Sequence, residues 1–148
     1  LLATSEPPGD ELDDVLSVNA FLVEDFNIPD MRGLLGVSGG IPGAAGLHGT
    51  NGSGLVFSTA SLGTDNATLG QTFAHELGHF LGLRHTTEHL GRAHDPITDT
   101  PECLSPDFGY LCEDARNFMF AFSLGGGEQI QSTPGQAYVL RRNPLVKP

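Results

Sequence analysis

The chain has 148 residues, the length of one ordinary domain, and with 39% hydrophobic and 17% charged residues its composition is that of a globular protein. Eighteen acidic and seven basic residues give a formal net charge of -11, which repels phosphate backbones and anionic lipid surfaces. The composition therefore argues against nucleic-acid partners and membrane binding. No apolar run reaches the roughly 18 residues needed to span a bilayer.

The N-terminal part of the sequence predicts an arm followed by three strands. Residues 1–14 are acidic and proline-containing, so we predict an arm outside a domain that covers residues 15–148. The apolar run VLSVNAFLVEDF, residues 15–26, predicts a strand buried on both faces. A short strand is predicted near residues 34–37, within a glycine-rich region. LVFSTASL, residues 55–62, predicts a third strand, and its small polar side chains indicate an exposed edge.

Two helices are predicted further along the chain. Asp65 or Asn66 can cap a helix in which apolar residues recur at helical spacing over residues 69–83. Near the C-terminus, Thr133 is suited to an N-cap and Pro134 to the first helical position, and arginines follow in the last turn. These features predict a second, C-terminal helix.

Residues 82–114 are rich in proline, aspartate and glycine and predict a long irregular loop. Cys103 and Cys112, the only cysteines, lie nine positions apart in it, and we predict a local disulfide formed in an oxidising compartment. The alternatives are two reduced thiols, or one thiol bound to a metal. A disulfide and an acidic composition are typical of a secreted protein.

The segment FAHELGHFLGLRH, residues 73–85, holds three of the six histidines. His75 and His79 are four residues apart on the predicted helix, so both imidazoles can reach one metal ion at about 2.0 Å. Gly82 can adopt a positive φ and end the helix, which lets the chain turn and brings His85 to the same ion. Three protein ligands with a fourth position open to water are typical of catalytic zinc.

Glu76 would lie beside the zinc ion rather than on it. There its carboxylate can accept a proton from zinc-bound water, whose pKa the metal lowers towards about 7, and pass it to a leaving amine. The predicted chemistry is therefore amide hydrolysis. A helix with two histidines by chance is the alternative, against which the five fixed positions of HExxHxxGxxH argue. A second alternative is a structural zinc whose fourth ligand is His89, His94 or a cysteine. It predicts that the zinc has no exchangeable water.

HELGHFLGLRH resembles the zinc-binding consensus of the metzincin metallopeptidases. The segments HDPITDTPEC, RNFMF and TPGQAYVLRR make the chain look most like the pappalysin branch. The resemblance implies an α+β, metzincin-like zincin fold with a mixed twisted sheet over the active-site helix. A cleft would separate an N-terminal subdomain, about 15–82, from an irregular C-terminal subdomain, about 83–148, that ends in a helix. An extended protein or peptide substrate would bind along an edge strand near 55–61.

The resemblance also implies roles for single residues. Met119 would form the methionine turn under the metal, where it packs and does not bind the ion. Related enzymes often have a tyrosine two residues past that methionine, which helps to stabilise the oxyanion, but Ala121 stands here. Tyr110 or Tyr138 would have to replace it, or the zinc and a backbone donor would act alone.

Pappalysins also tend to bind Ca²⁺ in the loop after the zinc motif. The resemblance then implies calcium ligands with hard oxygen atoms in that loop, with a solvated acidic loop as the alternative. The residues concerned are Asp95, Asp99, Thr100 and Glu102. Metzincins usually place a strand and a backing helix before the strand at 15–26, and the first 14 residues leave no room for them. We therefore expect a truncated or reduced N-terminal part.

Together these observations predict a secreted zinc endopeptidase with His75, His79 and His85 as ligands and Glu76 as general base. The alternative is a zinc-binding interaction module that keeps the fold but has little or no catalytic activity. The missing tyrosine and the short N-terminal part permit this alternative. Glu76 argues against it, because binding alone needs no base.

Overall fold

The computed structural model describes residues 17–27, 33–62, 65–104, 111–124 and 128–146, so the arm predicted at 1–14 lies outside the described residues. The described residues form three strands and three helices. These are β1 (Ala20–Val23), β2 (Gly36–Ser38), β3 (Leu55–Ser58), α1 (Thr59–Leu62), α2 (Asn66–Phe80) and α3 (Pro134–Leu140). None of the helices in the described part is long and apolar enough to cross a bilayer.

The three strands form one mixed sheet in the order β1-β3-β2. β1 runs parallel to β3, with Leu22 opposite Phe57, and β2 runs antiparallel to it, with Val37 opposite Val56. α2 packs against β2 and β3. A mixed sheet over the helix that carries the HELGH sequence agrees with the predicted α+β class.

The prediction that residues 55–62 form an exposed edge strand is wrong. All four residues of β3 are buried at the centre of the described sheet, and from Thr59 the chain continues as α1. The small polar residues were misleading because a buried hydroxyl group is tolerated when it is hydrogen-bonded. Ser58 is fully buried, and its hydroxyl donates to the carbonyl of Glu24 at 3.2 Å.

The prediction of a strand buried on both faces at residues 15–26 is also wrong for the part described. β1 has four residues that alternate between exposed and half-buried, and the side chain of Leu22 is 65% exposed. Among the described strands β1 pairs only with β3, so it forms one edge of this sheet. An apolar sequence cannot by itself distinguish a central strand from an edge strand whose outer face is apolar.

α2 begins where the sequence predicts. The Asp65 side chain is the N-cap and accepts hydrogen bonds from the backbone N–H groups of Ala67 and Thr68 at 3.0 and 3.3 Å. The helix ends at Phe80, and Gly82 follows with φ +113°, a conformation that favours glycine. Leu69, Leu77 and Phe80 of this helix pack with the core residues of β3, which are Leu55 and Phe57.

α3 also begins as predicted, with Thr133 as N-cap, Pro134 in its first turn and a capping box closed by Gln136. Gln136 is fully buried and exchanges two hydrogen bonds, of 2.9 and 3.0 Å, with the side-chain amide of Asn117. The oxygen of that same Asn117 amide accepts from the backbone N–H of Met119 at 2.9 Å. A buried amide pair thus connects α3 to the turn that holds Met119.

A second small core lies beside the disulfide. Cys103 and Cys112 are joined, as predicted, with 2.01 Å between the sulfur atoms. Both pack with Ala115 and Phe120, and the partly buried Phe122 and Leu124 complete this cluster. The irregular C-terminal half therefore has its own apolar centre, which positions residues 117–124 beneath and beside α2.

Candidate metal centre

The three histidines of the motif converge on one point. The Nε2 atom of His85 lies 3.2 Å from that of His75 and 3.1 Å from that of His79. An ion bound tetrahedrally by nitrogen atoms at about 2.0–2.1 Å would separate them by roughly 3.3 Å, so the spacing fits one zinc ion. α2 positions the first two histidines on one face, and the turn at Gly82 brings the third to them.

The opposite nitrogen of each ring is held by an acceptor. The Nδ1 atom of His75 lies 2.7 Å from the carbonyl oxygen of Phe118, and that of His79 lies 2.8 Å from the carbonyl oxygen of Leu83. A carbonyl oxygen can only accept, so Nδ1 of both rings is protonated and donates. The Nε2 atoms of the neutral rings therefore carry lone pairs that face each other, an arrangement that fits a shared cation.

The third ring is held differently, by a carboxylate. The Nδ1 atom of His85 lies 3.0 Å from Oε2 of Glu88, a side chain that is about half exposed. A carboxylate on the outer nitrogen of a histidine fixes the ring orientation and makes the inner nitrogen a better metal ligand. This role of Glu88 was not predicted from the sequence. Its position three residues after His85 was the one indication that the two side chains could meet.

Burial keeps the inner two histidines neutral. Desolvation, and next the neighbouring His79, lowers the pKa of His75 to about 3. Desolvation also lowers the pKa of His79 below its usual value. Both rings are therefore in the neutral form that binds a metal ion at neutral pH.

No fourth histidine, cysteine or carboxylate in the described part of the chain lies within reach of these three nitrogens. His89 stacks on Phe122, with the ring centroids 4.5 Å apart, and Nδ1 of His94 lies 3.3 Å from the hydroxyl of Thr87. Both cysteines are in the disulfide. The structure thus contradicts a structural zinc closed by one of these residues and leaves a coordination position open.

Glu76 lies next to the histidines and is almost completely buried, at 8% exposure. Burial raises the pKa of its carboxyl to about 7, and a hydrogen bond from the backbone N–H of Ser38 opposes this shift. Its side chain lies directly over Gly36, where a Cβ atom would stand 2.7 Å from Cγ of Glu76. β2 therefore accommodates the glutamate because residue 36 has no side chain, a requirement that the sequence analysis missed.

The four candidate residues sit in a cleft of about 700 Å³. Its floor is α2. One wall is the segment from Gly33 to Ser38, which includes β2, and the other consists of residues 120–123 and Gln129. β2 is the edge strand of the described sheet that borders the cleft. The predicted substrate edge at 55–61 is therefore corrected, because that strand is central.

Of the two predicted substitutes for the absent tyrosine, only Tyr138 lies among the described residues. Ala121 lines the cleft, as the sequence implied. Tyr138 is on α3, 57% exposed, with the guanidinium carbon of Arg142 3.5 Å from its ring centroid. Tyr138 does not line the cleft, and Tyr110 lies outside the described residues.

The four residues predicted to bind calcium have separate roles in the structure. Asp95 accepts from the hydroxyl of Thr100 at 2.6 Å, while its buried Oδ2 atom has no hydrogen-bond partner among the described residues. Asp99 accepts from the Thr133 hydroxyl at 2.7 Å and the Gly135 backbone N–H at 2.8 Å, so it caps the first turn of α3. Glu102 is exposed. Calcium binding by this loop stays a prediction.

A mixed sheet, a helix with the HELGH sequence and three converging histidines with an open position are the features of a zinc-metallopeptidase domain. A family model described as pregnancy-associated plasma protein-A, a peptidase family, matches residues 11–139. The chain belongs to this family, the pappalysin family of the metzincins. No curated protein and no solved structure matches the chain.

Proposed function

We propose that the chain is a secreted zinc endopeptidase in which His75, His79 and His85 bind the metal and Glu76 is the general base. The observation that carries this proposal is the convergence of three imidazole Nε2 atoms, with that of His85 3.2 and 3.1 Å from those of His75 and His79, beside a buried carboxylate. Zinc bound there would supply a Lewis acid that activates water and polarises the substrate carbonyl. In this proposal residues 15–148 form one catalytic domain, with the cleft between its two parts.

Glu76 carries out the proton transfers. Its carboxylate accepts a proton from water as the water oxygen bonds to the carbonyl carbon, and it donates that proton to the amine nitrogen as the C–N bond breaks. The N–H of Ser38 donates a hydrogen bond to the carboxylate, and the absence of a side chain at Gly36 leaves room for it. A base beside the open coordination position supports hydrolysis over binding alone.

The substrate is a peptide that binds in extended form along β2. This edge strand borders the cleft, and the segment from Gly33 to Ser38 lines it, so its backbone can pair with a peptide main chain. The peptide would then cross above the histidines. Strand addition selects for an extended backbone, and the pockets of the cleft select side chains.

Secretion is supported by the disulfide between Cys103 and Cys112, which forms in oxidising compartments. A zinc-binding module without catalysis is the competing function. It keeps the histidines but has no use for a buried carboxylate. Desolvation of a carboxylate costs free energy, and in a binding module no function would offset that cost.

The test is cleavage of a broad quenched-peptide library by the purified protein and by Glu76→Ala, with the zinc content of both measured. We expect turnover by the wild-type protein, a loss of about 10²–10⁴-fold in the variant, and one zinc ion bound to each. Glu24→Ala is the matched control, because it removes an exposed carboxylate that does not line the cleft. Zinc in both proteins without turnover in either would support the binding module.

A further inference from the structure

We propose that the cleft selects an uncharged substrate side chain next to the scissile bond, and that Gln71 determines this selectivity. The inference rests on the proposed peptide-binding function of the cleft and specifies the side chain that enters it. The region concerned, which we call the amide pocket, lies beyond the histidines along the N-terminal half of α2. It is lined by Thr68, Gln71, Thr72, Phe122, Ser123 and Gln129.

Helical spacing places Gln71 next to the metal centre. It precedes His75 by four residues, so the two side chains lie on the same face of α2, one turn of about 5.4 Å apart. Thr68 and Thr72 share this face and also line the cleft. A substrate residue adjacent to the bond above the histidines therefore reaches Gln71 with its side chain.

The opposite wall of the amide pocket is held in place by Gln129. This residue is 2% exposed, and its Nε2 donates to the carbonyl of Phe122 at 2.7 Å while its Oε1 accepts from the backbone N–H of Leu124 at 2.9 Å. The same Oε1 accepts from Nε2 of Gln71, and the Gln129 backbone N–H donates to Oε1 of Gln71. The two glutamines thus join α2 to the wall, and the Gln71 amide is at the junction.

The described residues that line the amide pocket offer no ionic partner to a charged guest. Among the described residues that line the whole cleft, the only ionisable side chains are the three histidines and Glu76, all at the metal centre. A lysine, arginine, aspartate or glutamate entering the pocket would lose water without gaining an opposite charge. An uncharged side chain avoids that cost. The second N–H of the Gln71 amide can donate to an acceptor on the guest.

The net negative charge of the whole chain favours basic peptides, which opposes the selection of uncharged side chains. At -11 it attracts basic peptides to the surface in general. Selectivity in the amide pocket must therefore be measured separately at each position flanking the cleaved bond. If uncharged residues are preferred at one flanking position and basic residues are tolerated elsewhere, the preference comes from the amide pocket and not from the net charge of the chain.

The test changes the charge of the pocket. Gln71→Glu places a carboxylate in it, and Ser123→Asp does so from the opposite wall, at an exposed residue. Gln131→Glu, an exposed glutamine that does not line the cleft, is the matched control. Each protein is assayed for cleavage of a position-resolved peptide library. The same peptides are measured for binding to each variant combined with Glu76→Ala and loaded with zinc.

We expect the wild-type protein to prefer uncharged residues at one flanking position. In a folded pocket variant, lysine or arginine should gain there by about fivefold or more, as for an ion pair partly shielded from water, with no gain in Gln131→Glu. A wild-type preference for charged residues at both flanking positions, or no gain in either pocket variant, would overturn the inference. If nothing is cleaved, the peptidase proposal fails, but the binding measurements still decide the selectivity.

Discussion

The sulfur of Met119 packs against Gly78, in the turn of α2 between His75 and His79. A Cβ atom on residue 78 would stand 2.4 Å from that sulfur and 2.9 Å from Cε2 of Phe118. Met119 is fully buried, so an added methyl group at residue 78 would have to displace side chains in the interior. The glycine within HELGH therefore lets Met119 lie directly against the turn of α2 that carries His75 and His79.

Substitution of this glycine should destabilise the fold. We expect Gly78→Ala to lower the free energy of unfolding by about 1–3 kcal/mol, because the added methyl overpacks the contact with Met119. Gly70→Ala, in the same helix and with no atom within 4 Å of the added Cβ, should raise it by about 0.5–1 kcal/mol through helix propensity. Urea unfolding of both variants measures the difference. Equal effects would mean that Met119 does not constrain residue 78.

The carboxylate on the third histidine should strengthen metal binding. We expect Glu88→Gln to weaken zinc affinity by about tenfold, the lower end of the range for such partners, because this side chain is half exposed. Competition with a chromogenic chelator measures the affinity. Glu102→Gln removes an exposed carboxylate elsewhere and should leave it unchanged. Equal affinities in wild type and Glu88→Gln would show that the contact has no role in metal binding.

The disulfide should stabilise the C-terminal half. It closes a loop with a sequence separation of 9. Loop-closure entropy then predicts that replacing both Cys103 and Cys112 by serine lowers the free energy of unfolding by about 2–3 kcal/mol. Chemical denaturation of the variant, and of the wild type with and without a reductant, checks this. A reductant effect that persists in the double-serine variant would argue against this explanation.

The parts of the structure predicted correctly depend on local chemistry. Asp65 and Thr133 cap helices through bonds to residues two or three positions away, and Gly82 ends α2 through its own φ. A pattern within one segment is enough for such features. The convergence of His75, His79 and His85 also belongs here, because a helix and a glycine stop bring the three side chains together.

The parts predicted wrongly depend on distant segments. Whether β3 is central or an edge strand depends on β1 and β2 pairing with both its sides, and no pattern within residues 55–62 contains that information. Likewise, Glu76 fills the space next to Gly36, and Met119 fills the space next to Gly78. From the sequence alone, such a glycine looks the same as one in a turn.

Asp99 should make stability depend on acid pH. Hydrogen bonds from Thr133 and then Gly135 lower its pKa below the ordinary 3.8. A depressed carboxylate stabilises the fold above its unfolded pKa, and this contribution is lost as pH falls through the folded value. We expect the melting temperature of wild type to fall more steeply than that of Asp99→Asn below about pH 4. If the melting temperatures of the two proteins fall equally with pH, protonation of Asp99 does not affect the stability of the fold.

The most direct test of the account is to remove the metal and add it back. The purified protein is stripped with a chelator, zinc is titrated in, and bound zinc and peptide cleavage are measured at each addition. We expect no turnover in the stripped protein and a rise in turnover that ends at one zinc per chain. This rise should be absent when His75 and His79 are both replaced by alanine. Turnover in the stripped protein, or unchanged zinc binding in the double variant, would contradict the account.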